Sequence, residues 1–166
     1  MTRLIAALAL IVAMLAFVPT ASSAQEEHDF LYYFFGFADY TVEVPDIKYP
    51  KTPKLKRGDT YYDHRSAIKA SAVEPINFAG HLKVVEWGCG TECQNGVIID
   101  MLDGTLHELP PAAAGYSYYV DSSLLVTNSH ISEDPPDWME QRLYYWDGEQ
   151  LVFIKKAKYQ VVDGGE

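Results

Sequence analysis

Three times in succession the second half of this chain runs strand, tight turn, strand, and that repetition limits the fold more than any other feature. Residues 96–101 lead through Asp103-Gly104 into 105–109. Residues 116–121 turn at Ser122-Ser123 into 124–128, and 143–146 turn at Asp147-Gly148 into 150–154. Asp-Gly between short β-branched or aromatic runs is a strong hairpin signal, because both residues accept the backbone angles a tight turn demands. Hairpins joined in sequence make an antiparallel meander. Residues 81–88 supply a strand ahead of the first unit. Tyr40, Val42 and Val44 alternate with Thr41 and Glu43 as an earlier strand ending at Pro45.

Only one helix is expected. Asp59 stands as a cap before residues 60–72, a stretch without Gly or Pro in which Tyr61, Ile68 and Ala72 fall near one face. Between the first strand and this helix, residues 45–58 carry Pro45, Pro50 and Pro53 with Lys48, Lys51, Lys54, Lys56 and Arg57. Prolines at that density favour an extended surface loop, and its basic strip is the first place to look for an acidic ligand or partner. The aromatic run Phe30, Tyr32, Tyr33, Phe34, Phe35, Phe37 and Tyr40 is either core or an exposed contact surface. The strand units also resemble blades of a β-propeller, but a closed one needs at least about four blades of four strands, and only about nine strands fit here. The fold class expected is α+β: one helix packed on a mainly antiparallel, meander-like sheet.

The N-terminus sets a compartment. A basic head at Arg3, an apolar run over residues 4–18 and small residues up to Ala24 follow the plan of a cleaved secretory signal. Fifteen helical residues reach only about 22 Å, short of the roughly 30 Å hydrocarbon core, so no membrane anchor should remain after cleavage. The expected organisation is a signal peptide at 1–24 and a single domain at 25–166, periplasmic or secreted. Lys and Arg number 13 against 23 Asp and Glu, a net charge of −10. So acidic a chain repels phosphate backbones and anionic headgroups, which argues against nucleic-acid or membrane-surface binding.

Cys89 and Cys93 would both meet an oxidising compartment, where a disulfide is the default. It closes a loop worth about 2 kcal/mol by loop entropy, enough to pin a turn. The alternative is a redox pair, for which no neighbouring Lys, Arg or His is present in sequence to lower a thiol pKa. In the strand before it, His81, Lys83, Val85 and Trp87 share one face while Leu82, Val84, Glu86 and Gly88 share the other. Neither face is apolar throughout. Either Glu86 or the His81 and Lys83 pair must then be partly covered or lie at a strand end.

The string Asn77-Phe78-Ala79-Gly80-His81, then Trp87-Gly88-Cys89-Gly90 and Cys93, then Ile98-Ile99-Asp100 with Asp103-Gly104, resembles a group of small exported bacterial proteins that carry no assigned activity. The likeness spans about residues 59–128 and extends weakly to the last hairpin. It implies export, one compact domain and a C-x-x-x-C turn, and it transfers no mechanism.

No G-x-S-x-G elbow and no phosphate-cradling glycine loop occurs. His64, His81, His107 and His130 are scattered, with no two at a metal-ligand spacing, so neither a metal nor a cofactor is expected. Two functions remain. The first is a non-catalytic exported binding or accessory protein, its partner an envelope protein or small ligand. Here the disulfide-pinned loop would present Gly90 and Thr91, with Trp87, Tyr118 and Tyr145 as rigid aromatic contacts. The second is a small hydrolase-like enzyme in which His81, Glu86 and Asp100 converge in a cleft for general acid–base work.

Overall fold

The computed structural model describes residues 35–130, 136 and 139–158. The residues expected to form a signal peptide, the aromatics Phe30 to Phe34, most of residues 131–138 and residues 159–166 lie outside them. The meander expected from the turns is present, divided between two antiparallel sheets. The first holds β1 (Leu82–Gly90), β2 (Cys93–Asp100) and β3 (Leu106–Ala112) in that order. The second holds β4 (Tyr116–Tyr118), β5 (Leu124–Thr127), β6 (Glu140–Trp146) and β7 (Leu151–Lys158). Both Asp-Gly turns form. Asp103 Oδ1 accepts from the Thr105 N–H at 2.7 Å, and Asp147 Oδ1 accepts from the Glu149 and Gln150 N–H groups at 2.9 Å each. These bonds to the ionised form hold both carboxyls below the ordinary aspartate range.

The single sheet expected from the sequence is two, and Pro110-Pro111 supply the reason. They lie within β3 instead of ending it. β3 forms the outer edge of its sheet, where a missing N–H is tolerated but a further strand cannot be recruited. The register slips there: Gly96 faces Leu109 while Gln94 faces Ala112. The chain then steps to a second layer through Gly115, at φ +71°.

Period-two alternation sorts the side chains into three clusters. Leu82, Val84, Ile98 and Leu109 of the first sheet meet Tyr116, Leu125 and Trp146 of the second, with Phe78 fully buried among them. On the far side of the first sheet, Val85, Val97 and Ile99 pack with Ile68 of the short helix α1 (Arg65–Ser71) and with Ala72, which follows it. On the far side of the second, Leu124, Val126 and Leu143 pack with Phe35 and Phe37. Both outer sheet faces are therefore covered by the chain itself.

Two further elements depart from expectation. The helix foreseen over residues 60–72 is a 3-10 turn at Tyr62–His64 followed by α1, because the Asp59 carboxylate accepts from the Lys56 N–H at 2.6 Å and caps nothing downstream. The strand foreseen at Tyr40 to Val44 reduces to one bridge, Thr41 to Ser122, after a 3-10 turn at Phe37–Tyr40. Its partner is the β4–β5 loop, which offers too few in-line groups for a ladder: Val42 donates to Asp121, and Ser123 donates to the Tyr40 carbonyl.

The polar residues of β1 divide as the alternation requires. Lys83 is covered, its side chain 7% exposed, and donates to Glu74 Oε2 at 3.1 Å and the Pro75 carbonyl at 3.0 Å. His81 precedes the strand and Glu86 is exposed.

Candidate functional site

The distal half of β1 and the hairpin it enters gather most of the residues singled out from the sequence. Cys89 and Cys93 are joined as a disulfide with their Cα atoms 5.1 Å apart. Gly90, at φ +137°, and Glu92, at φ +51°, make the tight reversal between them. Gly88, Cys89, Gly90, Thr91 and Glu92 are all exposed. A crosslinked reversal of this kind holds its tip with little conformational entropy left to lose on contact.

At the base of the tip, Trp87 points to the α1 side. His64 stacks on it with ring centroids 4.0 Å apart and planes 10° from parallel, and Tyr61 meets it edge-on at 6.4 Å. Arg65 places its guanidinium 4.4 Å from the Tyr62 ring centre. The Tyr61 phenol is pushed up, first by burial and then by the nearby Glu108 carboxylate. His64 and Tyr61 were absent from the sequence-derived binding set. Their spacing of three within a helical turn places them on one face, but nothing local shows that Trp87 lies beneath it.

Glu86 points to the opposite side of β1, toward the second sheet, where its Oε1 accepts from the Tyr118 hydroxyl at 2.7 Å. Tyr116 donates to the Pro110 carbonyl at 2.8 Å and the Gln94 carbonyl at 3.1 Å. Burial, then the Glu86 carboxylate, holds both phenols well above the usual tyrosine range. A raised phenol pKa contributes stability that is complete below the unfolded value of about 10 and is lost as pH climbs past it. Tyrosinate absorbance should therefore rise in two stages on alkaline titration, the later one coincident with unfolding. Tyr116→Phe and Tyr118→Phe should each shrink that later stage; an unchanged two-stage curve in both variants would contradict the assignment.

The three residues considered for acid–base work do not converge. His81 Nε2 lies 3.7 Å from Asp100 Oδ2, at the end of the ladder where Leu82 faces Asp100. Glu86 faces Gly96, four residues along β1 and about 13 Å away at strand rise. Asp100 also serves its turn, accepting from the Leu102 N–H at 2.8 Å. Tyr118 shares the Glu86 side of β1, but Tyr145 faces the other side of the second sheet, beside Tyr40. Among the described residues, His, Cys, Asp and Glu side chains form no group of three or more able to hold a metal. Nor is any helix among them long and apolar enough to cross a membrane.

The basic loop lies over the β2–β3 turn, tied by the Lys51 N–H to the Met101 carbonyl at 2.9 Å. Lys51 and Lys54 line one groove there together with Asp103, so an acidic side chain of the chain itself already faces this strip.

Compared with family models, curated proteins and solved structures, the chain matches none.

Proposed function

We propose that this is a small exported binding or accessory protein of α+β type, working without chemistry of its own and contacting its partner through the β1–β2 tip. The observation that carries the reading is the pairing of a disulfide-held, exposed reversal with the Trp87–His64 stack at its base. A rigid aromatic anchor beside a preorganised loop is the usual make-up of a protein contact surface. The C-x-x-x-C turn and the N-terminal apolar run support export, since a disulfide persists in an oxidising compartment.

The test is retention of envelope protein on the immobilised mature chain. Trp87→Ala should lower retention by at least about tenfold, the loss expected of an aromatic hot spot. Because Trp87 also borders the α1-side cluster, Thr91→Arg at the exposed tip provides a variant with no core contact to lose. Retention that survives both substitutions would sink the proposal.

A further inference from the structure

Every sheet edge is a row of backbone groups ready to pair, and native proteins blunt such edges with proline, lysine, shortness or a covering segment. Three of the four edges here are blunted. β3 carries Pro110 and Pro111, β4 is three residues long, and β7 carries Lys155 and Lys156. The fourth, β1, is closed only along its first half. Leu82 exchanges both backbone bonds with Phe78, and Val84 gives its N–H to Asn77 Oδ1 at 2.8 Å while its carbonyl accepts from Asn77 Nδ2 at 3.1 Å. Asn77 thus acts as one link of a strand that goes no further.

Backbone groups along an antiparallel strand point alternately to either side, so the next outward pairs belong to Glu86 and Gly88. Both residues remain in regular register with β2, which shifts only between Gly88 and Gly90. Among the described residues no group reaches their outward N–H or C=O. A side chain at Gly88 would meet nothing within 4 Å, so the space beside it is open.

We infer that this open edge accepts an extended, basic segment of a partner protein as an added antiparallel strand, continuing the pairing that Phe78 and Asn77 begin. The inference rests on the binding reading above and names its partner class. Each flank specifies one residue of the added strand. The residue opposite Glu86 shares its side of the sheet and meets an exposed carboxylate on a chain of net charge −10, which selects Lys or Arg. The residue opposite Trp87 lies against the indole and is apolar. The residue opposite Gly88 fills the vacant side-chain position, which suits an aromatic. A second copy of this acidic chain would bring like charge to the same edge.

The probe is the peptide Thr-Phe-Val-Lys-Val, blocked at both ends, with its Phe, first Val and Lys opposite Gly88, Trp87 and Glu86 and its end short of the place Asn77 fills beside Val84. Titrated into the mature protein, it should slow amide exchange at Glu86 and Gly88 by at least about tenfold. N-methylation of its Phe or Lys, whose N–H groups face β1, should abolish binding, whereas N-methylation of the intervening Val should not. Glu86→Lys should weaken the peptide by about tenfold and favour a version with Glu in place of Lys. Indifference to the position of the N-methyl group, or protection that maps elsewhere, overturns the inference. So does protection of Glu86 and Gly88 that grows with protein concentration alone, which would mark a second copy as the occupant. Failure at this edge alongside loss of partner retention in Trp87→Ala would refute the added strand and leave the tip-binding reading standing.

Discussion

Gly80→Ala is expected to cost about 3 kcal/mol or more, although it adds a single methyl group. Gly80 sits at φ +78°, where an L side chain is strained, and the added Cβ would overlap the backbone carbonyl of Glu43. Backbone cannot rotate aside as a side chain can. The segment leading into Glu43 is fastened just ahead of the contact: Val42 donates to Asp121 at 2.9 Å and Ser123 donates to the Tyr40 carbonyl at 2.8 Å. Gly80 is fixed too, through its N–H to the Val120 carbonyl and its neighbour Ala79, which donates to the same loop from φ +46°. Relief requires one of the three segments to detach. The variant should therefore lose amide protection at Val42 and Gly80 before the β1–β2 ladder opens. Denaturant unfolding of Gly80→Ala beside Gly88→Ala, whose Cβ meets nothing, gives the measurement. Equal midpoints for the two variants would remove the argument.

This junction accounts for the string Asn77-Phe78-Ala79-Gly80-His81 as architecture. Asn77 closes part of the β1 edge, Phe78 fills the space between the sheets, and Ala79-Gly80 thread between the N-terminal segment and the β4–β5 loop. Such a distinctive string could equally have announced a site, and only tertiary contacts distinguish the two. The strands and turns, by contrast, were legible because their causes are local: period-two alternation, and Asp103 and Asp147 bonding backbone N–H groups two or three residues on. The split into two sheets was not legible, since it depends on Pro110-Pro111 occupying an edge, and edge position is a property of the assembled sheet. The disulfide was readable from spacing and expected compartment. The stack of His64 on Trp87 was not, because it joins a helical turn to a strand over a distance that no periodicity spans. The proposed meeting of His81, Glu86 and Asp100 failed on register: adjacency of strands brings together only residues at matching positions, and Glu86 is four places from the match.

A loss of similar size is expected at Asn128, which holds the two-layer step together. Its backbone lies at φ +54°, a conformation that Asn adopts more readily than other non-glycine residues. Its side chain works in two directions. Oδ1 accepts from the Ala113 N–H at 2.7 Å and the Ala114 N–H at 3.1 Å, and Nδ2 donates to the Glu140 carbonyl at 2.8 Å. One amide thus ties the link leaving β3 to the start of β6, beyond Ala112, the last residue β3 pairs. Asn128→Ala leaves two part-buried N–H groups and a carbonyl without partners and adds strain at positive φ. The sum is about 3 kcal/mol by ordinary costs for such groups. Asn128→Gly removes the strain and keeps the hydrogen-bond loss, so it should fall between wild type and Asn128→Ala by about 1 kcal/mol. Asn128→Asp retains the acceptor for Ala113 and Ala114 but replaces the donor with an oxygen facing the Glu140 carbonyl. It should be less stable than wild type at neutral pH and recover part of the difference in acid, where a protonated carboxyl can again donate. The opposing carbonyl raises that carboxyl's pKa while the Ala113 and Ala114 N–H groups lower it, so recovery in acid marks the carbonyl as the stronger: stability is then complete below the unfolded value of about 3.9 and declines as pH rises through the folded one, and a loss in acid would mark the N–H groups as the stronger. Denaturant midpoints of the three variants across that acid range decide the matter. If Asn128→Gly matched wild type, the conformation alone would be what the fold needs at this position, and the three hydrogen bonds would contribute nothing measurable.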